Sequence, residues 1–256
     1  MDLKLAYFYP SLMNLYGDRG NVQTLRKRCE WRGIDLEVIE IGLGDSQSLR
    51  RFDLGFFGGG QDKEQMKIGA DILATKASNI KAAVGDGLVM LAVCGGYQLL
   101  GEYYRPVQGE LLPGIGLLDA RTEGGAVRAI GNIVIASNGL GKSGLEIVGF
   151  ENHSGRTYLG SGCKPLGKVL RGYGNNGSDG WEGARYLNCF GTYMHGPLLP
   201  KNPAFADYLI SLAVERRYGM QELTLLDDGL ENATHDYVIR RASAGTQRFF
   251  CKGGAK

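Results

Sequence analysis

No two of the five cysteines (Cys29, Cys94, Cys163, Cys189 and Cys251) stand in a C-x-x-C spacing, and their number is odd. That argues against both a disulfide framework and a zinc site, so no metal is expected and a reducing cytoplasm is the expected compartment. Neither sign of charge prevails: 29 Lys and Arg face 27 Asp and Glu, a formal +2. With no basic stripe and no RNA-binding aromatic motif, nucleic acid is not implied as a partner. No apolar run approaches the roughly 18 residues of a membrane span. The N-terminus opens on the strand-like Leu3-Lys4-Leu5-Ala6-Tyr7-Phe8-Tyr9 rather than on a signal peptide, so any membrane association is expected to be peripheral. Internal repeats and low-complexity linkers are missing too. The 256 residues, 43% of them hydrophobic, suffice for one large domain over residues 1–218 with a tail over 219–256 that holds one docked helix and a disordered end, Gly253 to Lys256.

What is present is an alternation of strand and helix signals through the first hundred residues: Leu3 to Tyr9, Val22 to Arg32, Leu36 to Ile41, Leu54 to Phe57, Lys63 to Lys76 and the run into Cys94. Such alternation predicts an α/β fold, a mostly parallel central sheet flanked by helices. From about Leu117 to Tyr193 the pattern changes to short β runs broken by glycine, read as hairpins added to that sheet. Phe205 to Tyr218 and about Leu230 to Ala242 read as helices.

The most informative stretch is Leu88 to Leu100, an apolar run ending in Cys94-Gly95-Gly96 and passing into a helix-compatible pattern. A cysteine there sits at the carboxyl end of a buried strand and at the positive end of a helix, which favours thiolate. Gly95 and Gly96 let backbone approach a ligand, and Gln98 puts an amide one turn into the helix. The bland alternative is a cysteine packed as a small hydrophobe. The loop Gly58-Gly59-Gly60-Gln61-Asp62 ends another buried strand at the same edge. It could aim an N–H at a developing oxyanion, or it could simply be a turn needing positive φ, with Asp62 capping the next helix. Gly139 to Gly144 matches G-x-G-x-x-G, but the adjoining Leu145 to Phe150 reads as a strand and not a helix, so a hairpin turn is expected rather than a phosphate loop. Gly172 to Gly177 likewise reads as an Asn/Gly-rich turn.

A cysteine nucleophile needs a base, and only three histidines are available. His195 ends a strand-like run before Gly196-Pro197 and projects from its terminus. His153 is an alternative that could instead shape a pocket, and His235 lies in the polar tail.

The blocks Gly58-Gly59-Gly60, Cys94-Gly95-Gly96-Tyr97-Gln98 and Gly191-Thr192-Tyr193-Met194-His195-Gly196-Pro197 together resemble the class I glutamine amidotransferases, in the branch that includes cobyric acid synthase. The blocks Asn14 to Asn21, Gly149 to Tyr158 and Gly172 to Asn176 resemble more closely the GatD-like glutaminase subunits of lipid II isoglutaminyl synthases. The resemblance implies a flavodoxin-like amidotransferase fold and glutamine hydrolysis through a glutamyl thioester, with Cys94 as nucleophile and His195 as base. It implies oxyanion donors in the N–H groups of Gly59 and Gly95, and Arg128 gripping the substrate, as a guanidinium suits a carboxylate. Gln98, Asn152 and Ser154 would add polar contacts, and Arg128 is otherwise a surface residue in a Gly124 to Arg128 loop. No cofactor is implied for this chain.

The implied partner is a MurT-like Mur ligase subunit, forming a heterodimer that amidates the D-glutamate of the lipid II stem peptide and so works peripheral to the membrane. Most class I members carry a carboxylate two residues after the histidine; here that position is Pro197, and Asp207 reads as distant and helical. The resulting expectation is that the partner completes the site. Two other readings stay open: a glutaminase serving another acceptor such as a cobalamin precursor, and a non-catalytic flavodoxin-like binding module.

Overall fold

A computed structural model describes residues 1–14, 17–141, 144–219, 222–244 and 250–251. In chain order the elements are β1 (Asp2–Phe8), α1 (Arg19–Glu30), β2 (Asp35–Ile41), β3 (Leu54–Phe57), α2 (Asp62–Asp71), α3 (Ala77–Gly85), β4 (Val89–Val93), α4 (Gly95–Leu100), β5 (Tyr103–Arg105) and β6 (Leu112–Pro113). Then come β7 (Ala120–Ser137), β8 (Glu146–Leu159), β9 (Gly167–Arg171), β10 (Trp181–Glu182), β11 (Ala184–Tyr186), β12 (Cys189–Thr192), β13 (Met194–His195), α5 (Pro203–Tyr218), α6 (Gly229–Ala244) and β14 (Phe250–Cys251).

The continuous apolar runs form strands buried on both faces, as parallel strands covered by helices must be. They build a sheet in the order β11-β12-β4-β3-β1-β2, parallel except for the edge strand β11. Alternate residues of each strand feed two cores. Leu3, Leu5, Leu91 and Val93 pack towards Val22 and Leu25 of α1 and Phe205, Leu209 and Ala213 of α5. Ala6, Phe8, Met90 and Ala92 pack towards Ile68, Ile80, Val84 and Leu99 on the opposite face. The result is a three-layer α/β arrangement, and the carboxyl ends of β1, β3 and β4 form the edge at which open α/β sheets generally bind ligands.

The glycine-broken segments depart from expectation in part. The hairpin β11–β12 does extend the first sheet, but the other strands of that stretch, with β5 and β6, form a second, mostly antiparallel sheet of eight strands, centred on β7 and β8. Glycines within these strands are sites of close approach. A Cβ on Gly155 would lie 2.5 Å from Gln98 Nε2 and 2.8 Å from the Tyr193 hydroxyl, and one on Gly149 would lie 2.7 Å from Met194 Cβ. The expected loop from Gly124 to Arg128 is also part of β7, where the β7–β8 register slips between Gly124 and Ala129. Gly139 and Gly141 do lie in the turn between β7 and β8, where Ser137 N–H donates to Leu145 O at 2.8 Å; Lys142 and Ser143 lie outside the described residues. Gly172, Gly174 and Gly177, all at positive φ, turn the chain between β9 and β10.

The chain crosses from the first sheet to the second between β12 and β13. Thr192 pairs with Val93 in the parallel sheet, and two residues later Met194 pairs with Glu151 of β8. Beyond Gly219, α6 sets Val238, Ile239 and Ala242 against Val134 and Val148. Asp228, just before α6, is tied to Arg28 of α1 at 2.7 Å. The segment from Gly253 to Lys256, expected to be disordered, lies outside the described residues.

Candidate active site

Cys94 comes directly after β4 and turns the chain with φ +49°, ψ −105° before α4 begins at Gly95. A non-glycine residue in that conformation is strained, and the surroundings hold it there. Cys94 N–H donates to Thr192 O and Gly96 N–H donates to Gly58 O, so both neighbouring loops brace the turn. The glycines of the Gly58 to Gly60 loop are not at positive φ; they are needed for closeness. A Cβ on Gly58 would stand 2.2 Å from Met13 O, and one on Gly59 would stand 3.0 Å from His195 Cε1 and 3.4 Å from Cys94 Cβ.

His195 comes from β13, immediately after the crossing between sheets, and is 1% exposed. Burial opposes its charged form, but the Cys94 sulfur and then the Asp18 carboxylate more than reverse this and raise its pKa to about 10. An imidazolium beside a cysteine is the arrangement that lets a thiol act as a nucleophile at neutral pH.

Asp18 was not among the candidates read from the sequence. It precedes α1, is fully buried, and sets Oδ1 3.5 Å from His195 Nδ1 while Oδ2 accepts the Gly59 N–H at 2.7 Å. Pro197, at the position where a carboxylate was sought, packs against α1 instead: a Cβ on Gly20 would lie 2.5 Å from its Cγ. A carboxylate was expected from the partner; this chain itself places one, Asp18, beside His195, from the N-terminal end of a helix far away in sequence. Asp207 is indeed remote, on α5, locked by Arg28 and Arg32 at 2.6 Å each. The Gly59 assignment changes as well, because its N–H is held by Asp18, while Gly60 and not Gly59 lines the cleft.

That cleft, of about 360 Å³, is walled by Cys94, Gln98, Gly60 and Asp62 from the first sheet's edge and by Arg128, Asn152, His153 and Ser154 from the second sheet. Arg128 does not wander as a surface arginine. Its Nε and Nη2 donate to Asn152 Oδ1 and O, both at 2.9 Å, which leaves the other guanidinium face for a ligand. Gln98 accepts from Gln65 Nε2 at 3.0 Å and donates to the Tyr193 hydroxyl at 3.2 Å, so it forms the floor. Gly95 opens α4, where a backbone N–H has no partner within its own helix.

The other two histidines do not stand where His195 does. His153 lies inside β8, its Nδ1–H donating to Gly155 O at 2.8 Å and its ring stacked 3.8 Å from that of Tyr193. Burial pushes its pKa down to about 4, so it is neutral and forms wall rather than proton relay. His235, on α6, lies against Lys201 O. Among the described residues no group of three or more His, Cys, Asp or Glu could hold a metal ion.

Residues 4–203 match the model of the CobB/CobQ-like glutamine amidotransferase domain. The chain belongs to that family. It is 41% identical over 242 residues to the GatD subunit of the glutamine-hydrolysing lipid II isoglutaminyl synthase of Staphylococcus aureus (strain N315), covering 94% of this chain and 97% of that one. It is 41% identical to the corresponding subunit of Streptococcus pneumoniae (strain ATCC BAA-255 / R6), with 85% and 82% covered. Among solved structures, a glutamine amidotransferase superposes with a TM-score of 0.55 at 17% identity, covering 81% of this chain and 98% of that one, a likeness of fold. Among the described residues no helix is long and apolar enough to cross a membrane.

Proposed function

We propose that this chain is the glutaminase subunit of a lipid II isoglutaminyl synthase. The observation that carries the reading is the strained Cys94 turn facing His195, in a cleft whose far wall offers Arg128. The 41% identity over nearly the whole length of a named glutamine-hydrolysing subunit gives the acceptor class.

In this reading Cys94 Sγ attacks the side-chain amide carbon of glutamine. The developing oxyanion takes the N–H of Gly95 and that of Gly60, donors whose individual removal typically costs about 10² to 10³ in rate. Protonated His195 gives its proton to the departing nitrogen, which leaves as ammonia, and a glutamyl thioester remains. The neutral imidazole then draws a proton from water, hydroxide attacks the thioester, the Cys94 sulfur leaves as thiolate, and release of glutamate restores the starting pair of thiolate and protonated His195. Asp18 holds Nδ1 and stabilises the charged ring, the part an orienting carboxylate takes in a catalytic triad. Asn152 aims Arg128 at the substrate carboxylate, and Ser154 and Gln98 line the path. No cofactor enters these steps.

The ammonia serves a Mur-ligase-like, MurT-like partner that activates the D-glutamate α-carboxylate of the lipid II stem peptide. Ammonia attacks an acyl phosphate only while unprotonated, so the two subunits must enclose its route. The test combines a glutamine-analogue alkylator with pull-down of the co-expressed ligase-like subunit. Labelling confined to Cys94, blocked by glutamine, together with a stable heterodimer is expected. Cys94→Ala should remove glutamate release altogether and His195→Ala nearly so, with folding retained. A Cys94→Ala chain keeping a tenth of the activity would overturn the assignment.

A further inference from the structure

Asp62 takes no part in the hydrolytic steps. The sequence suggested a helix cap, yet Gln61 occupies the capping position of α2 and no side chain caps that end. The Asp62 carboxylate instead accepts the Tyr104 hydroxyl at 3.3 Å and lines the cleft that holds Cys94. It also lines an adjoining depression of about 420 Å³, together with Tyr104, Arg128 and Ser154. Among the described residues no ion pair neutralises Asp62, and none neutralises Arg128. Two opposite charges thus face one cleft without an ionic partner, next to the nucleophile. A ligand bearing a carboxylate and an ammonium on one carbon would satisfy both at once.

We propose that Asp62 receives the α-ammonium group of the glutamine substrate, beside Tyr104 and Ser154, while Arg128 receives its α-carboxylate. The inference rests on the glutaminase reading and deepens it. It makes the cleft selective for the free amino acid: glutamine within a peptide has neither group and would leave both charges unpaired.

The test sets two substrates against two variants of the full-length chain, assayed with its co-purified ligase-like subunit. L-Glutamine carries the α-ammonium; glutaramate is the same amide and carboxylate without it. Asp62→Asn is expected to raise KM for glutamine about ten- to hundredfold with kcat within about threefold, and to change glutaramate turnover less than about twofold. Asp62→Glu, which keeps the charge, should recover part of the loss, and both variants should melt near the parent's temperature. Equal losses on both substrates, or an unchanged KM for glutamine, would overturn the inference while leaving the glutaminase reading intact. An unsubstituted chain that hydrolyses neither substrate and resists alkylation at Cys94 would remove the glutaminase reading itself, and the inference with it.

Discussion

The two sheets contribute unlike things to one cleft. The parallel sheet delivers groups at the carboxyl ends of its strands: Asp18 beyond β1, the Gly58 to Gly60 loop beyond β3 and Cys94 beyond β4. The antiparallel sheet delivers groups from the middle of its longest strands, Arg128 from β7 and Asn152, His153 and Ser154 from β8. Loops at strand ends can adopt the tight and strained backbone that a nucleophile and its oxyanion donors need, whereas strand residues such as Asn152 and His153, paired with Ile130 and Ala129 of β7, are fixed in orientation. In the proposed reading chemistry thus sits on one sheet's edge and recognition on the other sheet's face. His195, carried by β13 just past the crossing, is the reacting group that a strand of the second sheet supplies.

This division is broken most severely by removing the acid. Asp18→Asn should lower kcat by about 10² to 10⁴ with little change in KM, since the carboxylate holds the base and does not touch glutamine. Because Asp18 helps to raise the His195 pKa, the pH profile of the residual activity should move towards lower pH. Glutamate release by the purified chain across pH measures both. An Asp18→Asn chain with more than half the parent rate would return the acid to the partner subunit. Removing recognition should cost less: Arg128→Ala is expected to lose about 2 to 3 kcal/mol in kcat/KM for glutamine, the scale of a charged hydrogen bond. Arg128→Lys should restore only part of it, because an ammonium lacks the fork that grips both Asn152 and a carboxylate. Unchanged kcat/KM in Arg128→Ala would take the residue out of the site.

The same division decided what could be read from the sequence. Strands such as Leu54–Phe57 and the run into Cys94 are continuous apolar segments with turns at their ends, and their order alone implies the parallel sheet. The β7–β8 pair is long, half polar and rich in glycine, so its periodicity reads as fragments; only packing against Gln98, Tyr193 and Met194 reveals why glycine is required there. Cys94 and His195 stand at strand ends and were visible. Asp18 was not, because an aspartate before a helix reads as a cap, as Asp62 does. In both cases the carboxylate turns away from its own helix, Asp18 towards His195 and the Gly59 N–H and Asp62 towards Tyr104 and the cleft, which no spacing rule detects.

The smallest effect concerns the polar layer beneath the recognition wall. Glu182 is fully buried; its Oε1 accepts the Thr192 hydroxyl at 2.8 Å and Tyr193 N–H at 2.7 Å, beside the crossing that carries His195. Burial raises its pKa from 4.5 to about 7. Between those values the folded chain holds a proton that the unfolded chain has released, so stability falls as pH rises from about 4.5 through about 7, by an order of 1 to 3 kcal/mol once relaxation is allowed for. Glu182→Gln keeps the Oε1 acceptor and cannot ionise. Its stability relative to the parent should therefore rise with pH across that window and level off above it. His153, whose pKa burial lowers, contributes the opposite slope in both chains. Chemical denaturation of parent and variant at pH 5 and pH 8 reads the effect directly. A difference in unfolding free energy that is the same at both pH values would mean that Glu182 ionises at its ordinary pKa in the folded protein.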